Sequence, residues 1–257
     1  MSTKIFSLLM LLVFCRGVRA QQFISKAVIE YEVTANVQKT MGNGTFEDMI
    51  KDKLPQFKIG YYDFTFADNK SIFKFDHWSD EAKKIPSWLK EGDEENSWYC
   101  DYAMGKINMQ KNIAGSNLNV QDTLKKMNWR MITNENRIIA GFNCRKAVSI
   151  IFDSVYVFAF YTDEITISGG PCSINGLPGM ILGVTIPRLF TSWIATKVRV
   201  TDVKEDAIKP VSAKKTYDLK FLETTINERT RDWYSDDATE NAEITQQKAR
   251  FLWETLL

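Results

Sequence analysis

His77 is the only histidine in this chain of 257 residues. A single histidine excludes a metal site built from several, and leaves open only a Cys-His or Ser-His dyad. In a strand, Asp76 and Trp78 would point to the face opposite His77, so a partly exposed strand histidine is the simpler reading. The carboxylates offer two clusters, Asp163-Glu164 and Glu91, Asp93, Glu94, Glu95. Glycoside hydrolysis needs two carboxyls about 5–10 Å apart across a cleft. Adjacent strand residues such as Asp163 and Glu164 diverge to opposite faces. The second cluster lies in the charged, Pro86-containing stretch 80–96 and reads as a solvated loop with at most one helical turn. Neither cluster specifies a catalytic pair, and no residue set specifies a metal or a cofactor.

The cysteines are Cys15, Cys100, Cys144 and Cys172. Cys172 has no basic neighbour that would lower its pKa, which favours an idle thiol over a nucleophile. A disulfide, if one forms, is expected between Cys100 and Cys144, each in an expected strand. Three buried thiols packing as small hydrophobes is the other reading. Aromatic residues make up 12% of the chain, and Trp78, Trp88, Trp98, Trp129 and Trp193 exceed what a small sheet needs for packing. Core filling is the simpler reading of them, and an apolar groove for a ligand, closed by the Gly/Pro loop, is the other.

The elements that would carry these groups are mostly strands. From Ile29 to Val33 apolar and polar residues alternate, the period of a half-buried strand. Residues 45–54 read as a short helix stopped by Pro55. Strands are expected at 61–66 and 71–78 around an Asp68-Asn69 turn, and at 98–102 and 106–110 around Gly105. Further strands are expected at 128–133, at 137–152 with a break near Gly141, and at 155–162, 180–186 and 192–203. Ala242, Thr245, Ala249, Leu252 and Leu256 recur at helical spacing, which predicts a C-terminal helix over about 238–256 docked on the sheet. The expected fold is therefore mainly antiparallel β, a meander forming a half-barrel or a sandwich, with a short N-terminal helix and a C-terminal helix.

One stretch departs from strand-and-turn patterning. Residues 168–182 carry Gly169-Gly170-Pro171 and then Gly176-Leu177-Pro178-Gly179-Met180-Ile181. Pro178 presets φ, and Gly179 supplies the positive φ that a type II turn requires. Gly176 to Ile181 resembles the signature of the GLPGLI family of exported Bacteroidetes proteins, with methionine in place of leucine. The surroundings resemble it too: Trp129, Gly141-Phe142-Asn143-Cys144-Arg145-Lys146-Ala147, Phe160-Tyr161-Thr162 and Gly170-Pro171. Cys172-Ser173-Ile174 and Val155–Phe158 depart from that pattern. The resemblance implies an envelope location and no particular activity. Gly170, Pro171, Gly176, Leu177, Pro178 and Gly179 form the candidate binding loop, and a turn required under the core is the other reading.

Met1 to Ala20 reads as a signal peptide: a basic start, an apolar run from Ile5 to Phe14, and Val18-Arg19-Ala20 before the cut. Lipidation at Cys15 is disfavoured because Phe14 precedes it. The remainder, 21–257, is expected to be one exported domain in the periplasm or cell envelope. No segment reaches the roughly 20 apolar residues that a spanning helix needs. The segment ahead of the cut holds Lys4, Arg16 and Arg19 and no acidic residue, so the remainder carries a net charge near −2. That balance gives no bulk attraction for nucleic acid. Taken together, these features point to a non-enzymatic binder of a hydrophobic ligand, a peptide, a lipid or an outer-membrane protein. A hydrolase of unrecognised type and a structural adaptor in an envelope complex are the alternatives.

Overall fold

The computed structural model describes residues 24–41, 45–113, 115–232 and 238–257. The expected signal peptide, its cut after Ala20 and Cys15 lie outside them. Six strands form the first half: β1 (Lys26–Asn36), β2 (Phe57–Ala67), β3 (Lys70–Trp78), β4 (Ser97–Asp101), β5 (Lys106–Ile113) and β6 (Ser116–Thr123). Five form the second: β7 (Arg130–Ile139), β8 (Phe142–Ile151), β9 (Val155–Thr162), β10 (Met180–Ile186) and β11 (Thr191–Val200). The helices are α1 (Val37–Thr40), α2 (Thr45–Lys51), α3 (Glu91–Glu95), α4 (Leu219–Arg229) and α5 (Ala238–Leu256).

All eleven strands join one antiparallel sheet in the order β6-β5-β4-β3-β2-β1-β11-β10-β9-β8-β7. The chain marches outward from β1 to β6, crosses to the opposite edge, and marches back from β7 to β11, which pairs with β1. That crossing is short. From Thr123 to Arg130 there are seven Cα steps, a reach of at most about 25 Å. The two edges must therefore lie near each other, so the sheet curls without closing. Interior contacts agree. Tyr31 on β1 donates through its hydroxyl to the carbonyl of Ile181 on β10 at 2.6 Å. A Cβ on Gly183 of β10 would come within 2.9 Å of Ile139 on β7, two strands beyond its β9 neighbour.

Alternation sets which face of the curled sheet lies inside. On β1 the buried Ala27, Ile29, Tyr31 and Val33 face in. Glu30 faces out, where Arg199 bridges it to Asp63 at 3.4 and 3.1 Å. The β2–β3 hairpin turns at Asp68, with φ 52°, and β7–β8 turns at Ala140-Gly141, both with positive φ.

The mainly antiparallel fold with a short N-terminal helix and a C-terminal helix is the one expected. Strand β6 and helices α1 and α4 were not anticipated. Strand β6 has only Leu118 and Val120 as apolar residues, and it is held by pairing with β5 and by Tyr217, which bonds across its outer edge. Helix α4 begins at Asp218, whose carboxylate accepts from the Phe221 amide at 2.7 Å, and it buries Leu222 and Ile226. The stretch expected as a loop ends in a true helical turn, α3.

Helix α5 covers one end of the curled sheet. The Leu257 carbonyl at the chain's last residue accepts from the indole N–H of Trp98 on β4 at 3.2 Å. It also accepts from the hydroxyl of Ser173, in the glycine-rich loop, at 2.5 Å. The chain end is thus sewn between the sheet and that loop.

Candidate functional site

Where α5 meets the sheet, a basin of about 430 Å³ remains open, lined by inward residues of β1, β2, β4, β5 and β11 and by α3 and α5. Its wall begins at Gly60 on β2. A side chain there would come within 2.9 Å of the Trp78 ring, so glycine is what allows that indole to lie across the strand. Trp78 is then fixed at its far edge, where its N–H donates to Glu94 at 2.5 Å. The ammonium groups of Lys58 and Lys90 each sit 5.8 Å from the ring centroid.

Lys58 and Tyr62, both on β2, turn Asp93 inward. The Lys58 ammonium is ion-paired with the Asp93 carboxylate and also donates to the Leu89 carbonyl at 2.8 Å. The Tyr62 hydroxyl donates to Asp93 at 3.2 Å. Together these bonds pin α3 over the mouth of the basin.

Glu254 faces the same basin from the last turn of α5. Glu254 is exposed to solvent, although protein atoms crowd around its carboxyl. Burial pushes it up to about 7, helped by the Asp93 charge and opposed by Arg250, Lys58 and Lys111. Basin water on the exposed side screens part of that shift. Lys111 on β5 is 1% exposed, and its ammonium lies 4.2 Å from the Trp98 ring centroid with no hydrogen-bond acceptor. Burial lowers it to about 8.

An aromatic wall, one carboxylate held by a lysine and a second carboxyl raised to about 7 put a candidate acid and a candidate base in one cavity. That pairing is what hydrolysis of a glycosidic or glycosylamide bond uses. Aromatic faces beside it suit the apolar faces of sugar rings.

The residues singled out from sequence are dispersed. His77 lies outside the basin, exposed, bonded to Asp76 at 2.7 Å and stacked on Tyr61 at 4.6 Å. Asp163 pairs with Arg145 at 2.6 Å, and Glu164 accepts from the Asn143 amide at 3.3 Å, both at an exposed corner of β8 and β9. Asp93 is the correction: it belongs to the cluster expected to be a solvated loop, yet it faces the cavity.

The candidate binding loop packs in the core. Gly170, Pro171, Leu177 and Gly179 are buried, Leu177 to 1% exposure, and Gly176 is half-buried. Only Pro178 is exposed. Asn175 holds the loop to the Lys125 carbonyl at 3.0 Å, and the Trp129 indole donates to the Asn175 carbonyl at 2.8 Å. The expected Cys100–Cys144 bridge is not formed. Those two residues sit on β4 and β8, far apart in the sheet order, and Cys100, Cys144 and Cys172 are separate buried thiols.

Glu254 and Lys111 were missed. Lys111 had a readable signal, since it continues the inward series Ile107, Met109, Lys111, Ile113. The expected strand ended at 110, one residue short of it. Glu254 had none, because its place depends on how α5 docks. Among the described residues, no group of three or more His, Cys, Asp or Glu could hold a metal ion. Among them, too, no helix is long and apolar enough to cross a membrane.

Comparison with known proteins supplies the remaining context. No curated protein matches the chain. The solved structure of PNGF-II is similar at 14% identity and a TM-score of 0.50, covering 78% of this chain and 33% of that one. An uncharacterized conserved protein from Thermus thermophilus is similar at 8% identity and a TM-score of 0.38, covering 74% of this chain and 90% of that one. The chain thus spans about a third of the length of the PNGF-II structure. Residues 67–224, more than half of the chain, match the family described as N-glycanase peptide, N-terminal domain. That match takes in the whole Gly176–Ile181 stretch, and it overturns both the GLPGLI resemblance and the non-enzymatic binder that was expected beside it. The chain belongs to the PNGase F-II N-terminal domain family.

Proposed function

We propose that the chain acts in the hydrolysis of N-linked glycans on peptides, with the basin as the place where the sugar is held and its link to the peptide is cut. The observation that carries this reading is Glu254, a carboxyl pushed up to about 7 in a cavity that also presents the Asp93 carboxylate. In the proposed step, Asp93 takes a proton from water as the water oxygen forms its new bond to carbon. Glu254 gives its proton to the nitrogen that leaves. Protons balance, and the pair is reset by returning one proton to Glu254 and releasing one from Asp93. Trp78 supplies the sugar platform. The family's printed description, an N-glycanase peptide, supports this substrate class, and the secretory pattern of residues 1–20 supports an exported setting.

The test is release of glycan from an asparagine-linked glycopeptide by the purified chain, followed by mass spectrometry. Release is expected from the native chain, with a loss of about 10²-fold or more in Glu254→Gln, the usual contribution of a positioned acid. No release by the native chain, or equal release by Glu254→Gln, would refute the proposal.

A further inference from the structure

The acid–base step leaves one group of the basin unused. Lys111 rises from the floor, 1% exposed, and its ammonium has three donors and no hydrogen-bond acceptor. The Trp98 face 4.2 Å away satisfies its charge in part but offers it no lone pair. A buried cation without an acceptor is costly and is retained where something else completes it.

The surrounding groups do not complete it. Asp93, on α3, is already ion-paired with Lys58 and accepts from Tyr62. The Cys172 thiol beside it is buried, and burial pushes it up to about 12, so it brings no negative charge. The Trp98 N–H is taken by the Leu257 carbonyl and is not free to orient a ligand. Glu254 faces the same basin, but its oxygens make no hydrogen bond to the Lys111 ammonium. Lys58 is paired with Asp93, so the Lys111 ammonium is left in the cavity without an acceptor. A ligand that brings an anionic acceptor would complete it.

We infer that the floor of the basin is a subsite for a carboxylate-bearing sugar, whose carboxylate accepts from the Lys111 ammonium while its ring lies along the Trp78 wall. For the bond that is cut, this inference rests on the hydrolase reading; the binding preference does not depend on it. A planar carboxylate suits the site because its two oxygens would give the unsatisfied ammonium the acceptors it lacks. Neutral sugars would fill the volume but leave the ammonium without its acceptor, the arrangement that discriminates most strongly against a ligand lacking the polar group.

The test compares methyl glucuronide with methyl glucoside, two rings that differ at the carboxylate, by calorimetric titration of the native chain. Acetate and inorganic sulfate serve as bare anions. The glucuronide is expected to bind at least tenfold tighter than the glucoside and than either bare anion. Lys111→Met should abolish that preference without lowering the thermal midpoint, because it removes an unsatisfied buried charge. Equal affinity for the two glycosides in the native chain would overturn the inference, and this comparison needs no variant to fold. It would also fall if the preference survived in Lys111→Met, or if acetate bound as tightly as the glucuronide. Glu254-dependent glycan release with no acid preference sinks only the subsite, whereas an acid preference with no release sinks only the hydrolase reading.

Discussion

Replacing Gly179 by alanine should destabilise the protein severely, for a reason set by backbone and not by ligand. Gly179 has φ 144°, a region that alanine rarely adopts. A Cβ there would overlap the carbonyl oxygen of Thr162 and lie 2.8 Å from its carbonyl carbon and 3.0 Å from the Asp163 Cα. All three are main-chain atoms at the end of β9, so no side chain can swing away. Relief requires moving the turn from the strand, which breaks the Met180 amide bond to the Ile165 carbonyl at 3.0 Å and the adjoining Met180–Thr162 pairing. Strain of about 2 kcal/mol and two backbone hydrogen bonds of about 1 kcal/mol each give a loss of about 4 kcal/mol. In urea, with a slope of about 2–3 kcal/mol per molar, the midpoint should fall by about 1.5 M. Gly141→Ala is the internal control. Its φ of 86° is also positive, but nothing lies within 4 Å of its Cβ position, so the loss should be about 1 kcal/mol. Equal midpoints for the two variants would refute the packing argument.

Three further outcomes follow from the same geometry. Stability should fall as pH rises from about 4.5 to about 7, because folded Glu254 holds its proton where the unfolded chain has lost it. It should recover from about 8 to about 10.5, where the unfolded chain keeps the Lys111 proton that the fold releases. Denaturant titrations across pH should show Glu254→Gln flattening the first slope and Lys111→Met the second. The thiols of Cys100 and Cys172, pushed up to about 12, and of Cys144, to about 11, should not react with a disulfide reagent at pH 8 until the protein is unfolded; rapid labelling of the native chain would contradict their burial. Gly60→Val should displace the Trp78 ring, weakening sugar binding by calorimetry while leaving thiol protection intact; unchanged binding would remove Trp78 from the site.

The strands with strict alternation were legible because each had to bury one face. Ile29 to Val33 and Ile107 to Met109 carry that signal in single residues. Turns with positive φ at Asp68 and Gly141 were legible for the same local reason. Strand β6 was not, since an edge strand whose outer bonds go to Tyr217 needs few apolar residues of its own. The curl was not legible either. It comes from the short link between Thr123 and Arg130, and that link matters only once β6 and β7 are known to be opposite edges.

The roles of the glycine-rich loop and of the acidic cluster are both set by packing partners distant in sequence. Conspicuous glycines at 170–179 left a binding loop and a turn under the core both open, and their conformational freedom serves close packing against β9 and β10. Glu91 to Glu95 looked like solvated charge, yet a lysine and a tyrosine 35 and 31 residues away turn Asp93 inward. A residue's own type says little about its role when the partner that decides it is distant in sequence. Parity is the exception. Lys111 sits where β5 demands an apolar side chain, and no rule of strand packing supplies a reason for a cation there. A charge at an inward position, with the ring of Trp98 beside it and no acceptor, is therefore better evidence for a ligand than any of the motifs, because the fold alone leaves it unexplained.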